Sequence, residues 1–278
     1  MAACLQLGRH MRCPSLGLLA ASIASIAAAA CTTLGPVPTS TTVSPIAHGR
    51  PGVDLQAGAM PGFYVSSTTR ESDHGDAFAA ISALLEPDRM LGLKGLIVGG
   101  TMIGGDGGSR GMFQPYVGWR GYVDAARTAS VAAVAFGSSA SDGNRDGRAH
   151  VDVQRVGAEV TGDYDVTQGS RVVGFHVLGG ASVQRLDASG DYCVDSRGDG
   201  TDCGDTDPLT HAEVDALITS GRGGLALDFA RDRDSWFHGG RVEFSYVVGS
   251  KPRVVFGQEQ GSQIYSSGSL TLTLGFGE

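Results

Sequence analysis

Charge is scarce in this chain: Asp, Glu, Lys and Arg make up 18% of 278 residues, against roughly 25% in an ordinary soluble domain. The basic residues are the scarcer sign, 21 Lys and Arg against 29 Asp and Glu, and they are scattered along the sequence. Without a basic face or stripe there is no electrostatic footprint for nucleic acid, and that partner class is excluded. No apolar run approaches the ~20 residues that a membrane-crossing helix requires. Chemical motifs are missing as well. There is no Cys-x-x-Cys, no His-Glu-x-x-His and no phosphate-binding loop. Histidines 48, 74, 150, 176, 211 and 238 show no metal-ligand spacing. No catalytic residue and no cofactor is therefore expected, and the reading is of a protein that is not an enzyme.

Glycine, by contrast, is abundant at 43 residues, about twice its usual ~7% share. With no collagen-like period, that excess suits tight turns and closely packed strands. The five cysteines fall at 4, 13, 31, 193 and 203. Arg12 gives a positive start, and Ser15 to Ala30 is a short run of Ala, Leu, Ile, Ser and Gly with signal-peptide proportions. Residues 1–30 are read as a signal peptide. The run ends Ala28-Ala-Ala-Cys31, which resembles a bacterial lipoprotein box, although Ala28 stands where that family usually has Leu. The resemblance implies a lipid on Cys31; ordinary cleavage at an Ala-x-Ala site is the alternative. Residues 31–52, with Pro36, Pro38, Pro45 and Pro51 among Thr, Ser and Gly, have the composition of a flexible tether.

Residues 53–90 form a segment ahead of the main body. Within it, Phe78, Ile81, Leu84 and Leu85 fall at helical spacing behind acidic residues and before Pro87, which predicts a short helix over 73–85. From 91 onward the two-residue period dominates. Strands are expected at 91–104, 111–123, 128–139, 148–162, 170–187, 212–231, 235–248 and 268–277. In the fifth, Val173, Phe175, Val177, Ala181 and Val183 oppose Gly174, His176, Gly180, Ser182 and Gln184. In the last, Leu270, Leu272, Leu274 and Phe276 alternate with Thr271 and Thr273. In the fourth, Val151 and Val153 change phase to Val156, Ala158 and Val160, which suggests a bulge. Links of 124–127, 163–169 and 232–234 alternate with longer ones at 105–110, 140–147, 188–211 and 249–267. Short links at one end and long links at the other describe an up-and-down membrane barrel. Eight strands would put both chain ends on the short-link side, matching a lipid anchor there.

Residues 91–278 resemble a small bacterial outer-membrane barrel of the OmpA or OmpX kind. The last strand is similar to that family's C-terminal signature, although Gly277 and Glu278 follow the aromatic Phe276. The resemblance implies an all-β antiparallel barrel of eight strands, or ten, in the bacterial outer membrane. Arg120, His176, Asp228, Arg241 and Glu243 fall opposite oily faces, so in such a barrel they form a polar interior.

Cys193 and Cys203 form the nearby pair in the body, and in an exported chain they read as a disulfide. The loop between them carries Asp195, Asp199, Asp202 and Asp205, weak candidate ligands for calcium; a solvated acidic loop is the bland alternative. The function expected is that of a non-enzymatic, lipidated outer-membrane protein with a structural or binding role through its exposed loops. The alternatives are a lipid-anchored soluble periplasmic barrel that binds an apolar ligand, and a barrel lipid-modifying enzyme using His176 or His238.

Overall fold

The computed structural model describes residues 33–38, 52–66, 77–87, 94–104, 112–143, 150–167, 173–193, 208–229, 236–255 and 258–277. Eleven strands are present: β1 (Thr33–Pro38), β2 (Gly52–Ser66), β3 (Ala77–Leu85), β4 (Leu96–Gly104), β5 (Met112–Tyr122) and β6 (Ala129–Gly143). β7 (His150–Asp165), β8 (Val173–Cys193), β9 (Leu209–Phe229), β10 (Phe237–Val255) and β11 (Gln258–Gly277) follow. Every neighbouring pair is antiparallel, and β2 pairs with both β3 and β11. Ten strands, β2 to β11, thus close an up-and-down barrel.

Ten strands replace the main expectation of eight. The two additional ones come from the segment set ahead of the body, so the wall begins at Gly52 rather than at 91. The expected helix is not present among the described residues; 77–85 is β3. Its sequence, AFAAISALL, is apolar on both faces, which hides the two-residue period. Leu84 is fully buried while Leu85 next to it is half exposed, so strand alternation sets these side chains. Part of the expected tether is likewise ordered, because 33–38 pairs as β1 with 62–66 of β2. β1 also comes within 8 Å, Cα to Cα, of β4, β5, β6 and β7. Gly52 and Gly277 sit together at one end, but Thr33 pairs with Ser66 at the other. The expectation that the anchor-proximal chain joins the short-link end is corrected accordingly.

The links at the Gly52 end are closed by specific bonds. In the β5–β6 turn the Asp124 carboxylate accepts from the Thr128 and Ala129 amides and from the Thr128 hydroxyl, at 2.7 to 3.0 Å. Those bonds favour the ionised form and hold the Asp124 pKa below the usual carboxylate range. A depressed folded pKa stabilises above the unfolded value, about 3.9, and that contribution is lost as pH falls through the folded value. Acidification, or Asp124→Ala at neutral pH, is therefore expected to speed amide exchange at Thr128 and Ala129, with the strands away from this turn unchanged. Gly95, at φ 80°, is confined to glycine: a Cβ there would lie 2.4 Å from the Arg120 carbonyl oxygen.

At the opposite end the hairpins are tall. β8 and β9 pair without interruption from Val173↔Phe229 to Cys193↔Leu209, and β10 turns into β11 through residues 256 and 257 alone. The long link expected at 249–267 is therefore mostly strand. No bulge marks the phase change in β7, whose ladders to β6 and β8 keep one register throughout. Instead, Val151 and Val153 point inward and are buried, while Val156 and Val160 point outward and are exposed.

Candidate functional site

That change of face recurs on β8 and β9 and divides this side of the barrel into two zones. Toward the Gly52 end the outer surface is apolar: Val160, Val177, Leu225, Leu227, Phe244, Leu270 and Leu272 all point out. Leu225 is 63% exposed and Phe244 57%, while Arg120 inside is 1% exposed and His176 3%. Toward the long-link end the arrangement inverts. Met112, Val151, Val153, Leu186, Ala188, Val214, Ala216 and Ile218 form a buried interior cluster. Gln154, Arg185, Asp187, Glu213 and Asp215 face out. A soluble antiparallel sheet keeps its oily face inside along its whole length. Here β7 to β9 do so only in the long-link zone, while on β3 to β6 Leu84, Ile97, Tyr116, Ala132, Val134 and Phe136 form a second buried apolar cluster in the Gly52 half.

On β8 the apolar outer band runs from Val173 to Val183. At about 3.4 Å per residue and a tilt of about 40°, such a stretch spans about 25 Å. Aromatic residues gather at its Gly52-side margin. Trp119 and Tyr164 point outward, and Trp236 stacks on Phe276 with centroids 5.5 Å apart. Both tryptophans of the chain are in this ring.

Inside the band the wall is lined with charge. His176 Nδ1 lies 2.6 Å from Asp163 Oδ2, and its Nε2 lies 3.1 Å from Asp228 Oδ2. Arg241 reaches Asp163 at 2.6 Å, Glu243 at 3.4 Å and Asp228 at 3.5 Å. Arg222 continues the chain to Glu159 at 3.3 Å and Glu243 at 3.7 Å. A second set lies apart, where Arg120 meets Asp54 at 2.8 Å and Glu86 at 2.5 Å. Burying such charges is costly unless they pair, and some of these pairs tie strands that are not neighbours. Arg241 on β10 and Asp163 on β7 are joined across the inside, past β8 and β9.

Two hydroxyl pairs lie among these charges, Ser182 to Ser220 at 2.6 Å and Ser245 to Ser269 at 2.5 Å, with Ser182 directly beside Glu159 in the β7–β8 ladder. The apolar cluster of the long-link zone covers them. On the β7 to β10 side the interior is thus cross-linked toward the Gly52 end and oily toward the long-link end.

The five side chains singled out in sequence separate into two groups. His176, Asp228, Arg241 and Glu243 share one network, whereas Arg120 belongs to the other. Sequence reasoning passed over Asp163, Glu159 and Arg222, although alternation on β7 already sets 159 and 163 opposite Val160 and Tyr164. Asp54 and Glu86 carried no such signal, because their segment was assigned outside the barrel. His176 has both ring nitrogens within reach of carboxylates, those of Asp163 and Asp228. Cys31, the side chains of Cys193, Cys203 and His238, and the aspartates at 195, 199, 202 and 205 lie outside the described residues. Among the described residues no His, Cys, Asp and Glu are grouped to hold a metal ion.

No protein-family model and no curated protein sequence matches the chain. Among solved structures it overlaps loosely with Ail, the attachment invasion locus protein of Yersinia pestis. That match has 11% identity and a TM-score of 0.30, covering 82% of this chain and 97% of the other. The N-terminal β-barrel domain of Pseudomonas aeruginosa OprF aligns at 10% identity and a TM-score of 0.27, covering 82% of this chain and 99% of that one.

Proposed function

We propose that the protein is a β-barrel of the bacterial outer membrane, non-catalytic, with a structural or binding role exercised through the tall hairpins at its long-link end. The observation that carries this is the change of face between Val153 and Val156 on β7, repeated on β8 and β9. An outer apolar band about 25 Å tall over a charged interior is what a bilayer requires of a barrel. In water the same surface would leave Phe175, Leu225 and Phe244 exposed and bury charge for no gain. Polar outward residues above Val183 and Leu217 then belong to the part that stands clear of lipid. The lipoprotein-like box supports Cys31 as the lipid-bearing first residue of the mature chain, and export supports a disulfide between Cys193 and Cys203.

A soluble barrel tethered only by its lipid is the competing reading, and fractionation separates the two. Cys31→Ala is expected to remain in the membrane fraction, to require detergent for extraction, and to migrate differently on gels when unboiled and boiled. Release of that variant into buffer as a monomer would overturn the membrane reading.

A further inference from the structure

The outer wall is interrupted at one place along the upper margin of the apolar band. β5 and β6 pair from Tyr122↔Ser130 up to Tyr116↔Phe136 and then part. Above that point residues 112–115 stay with β4 and 137–143 with β7. Pro115, with no N–H to offer, stands where the β5–β6 ladder ends. The strands leave a groove of about 760 Å³ between Phe113 and Pro115 on one side and Gln154, Val156, Arg185 and Asp187 on the other. Its floor includes Gly137, whose missing Cβ would approach nothing closer than 3.4 Å. Beneath lies the buried Arg155 guanidinium, bonded to Ser138 Oγ at 2.7 Å and to Gln184 Oε1 at 3.3 Å.

The lining changes character with height. Phe113 and Val156 continue the oily band, while Ser139, Gln154, Arg185 and Asp187 supply hydroxyl, amide, guanidinium and carboxylate groups at the level where lipid headgroups would lie. Arg185 is already held by Asp215 in two bonds, at 2.9 and 2.7 Å. With Asp187 beside it, the groove offers no net positive charge for a bare phosphate. Mixed planar donors and acceptors next to an exposed aromatic ring suit a ring of neutral hydroxyls instead.

We propose that this notch binds the sugar headgroup of a membrane glycolipid, its chain lying over Phe113 and Val156. The assignment rests on the membrane reading above. Native mass spectrometry of the full chain, given equal dodecyl maltoside and dodecylphosphocholine, tests it because the two probes share a tail and differ in headgroup. Maltoside should be retained about tenfold over phosphocholine, the equivalent of one or two net hydrogen bonds. Gly137→Trp, which fills the groove, and Gln154→Ala, which removes a headgroup contact without adding bulk, should each abolish most of that preference. Unboiled migration of each variant verifies that it is folded. Equal retention of the probes, preference for phosphocholine, or a preference untouched by both variants would overturn the site. A chain monomeric in plain buffer would sink the membrane reading, and the same competition run there would still decide the notch.

Discussion

Leu225→Arg is expected to cost about 2–4 kcal/mol of folding stability in lipid, the penalty for a guanidinium near the middle of a barrel's lipid-facing surface. Leu225 points out of β9, between Val177 on β8 and Phe244 on β10, and both neighbours are themselves exposed and apolar. No partner of opposite sign sits on that face for the new charge. Twelve residues toward the long-link end on the same strand, Glu213→Arg is expected to stay within about 0.5 kcal/mol, as surface changes in water do. Urea titration of folding into vesicles, followed by tryptophan emission, measures both. Equal, small effects would mean that water bathes the strand along its whole length.

The contrast between those two positions also shows why the architecture was only partly legible in the sequence. Alternation located the walls of β4 through β11, because a two-residue period needs no knowledge of which side is wet. It could not tell inside from outside. The phase change from Val153 to Val156 looked like a bulge, since an extra residue and a change of environment leave the same trace in a hydrophobic pattern. Three-dimensional pairing distinguishes them: the ladders of β7 run on in register while the oily side chains move from the interior to the surface. β3 was lost for a different reason. With Ala, Ile and Leu on both faces, its helical and strand periods are equally good, and closure against β2 and β4 decides between them.

The charged interior was legible by residue type but not by partnership. Arg120, His176, Asp228, Arg241 and Glu243 could be placed opposite oily faces from spacing alone. That Arg241 would find Asp163, 78 residues earlier in the chain, depends on how far β7 stands from β10 across the inside. Asp54 and Glu86 had to be brought to Arg120 by two strands that the sequence pattern did not reveal.

That last trio gives the second large effect. Arg120→Met should destabilise by about 3–5 kcal/mol, because it leaves two buried carboxylates facing one another with no cation between them. Asp54 is 1% exposed and Glu86 7%, so water cannot take over the role of the guanidinium. The loss should not come from cavity formation, since methionine fills much of the same volume. Removing the charges together separates the two causes. Asp54→Asn, Glu86→Gln and Arg120→Met combined should recover most of the stability, as neutral replacement of a buried ion set is often tolerated. Denaturant midpoints of the single and triple variants in the same detergent provide the measurement. If the triple variant is as unstable as Arg120→Met alone, packing around the side chain, and not its charge, holds β2, β5 and the β3–β4 link together at this end of the barrel.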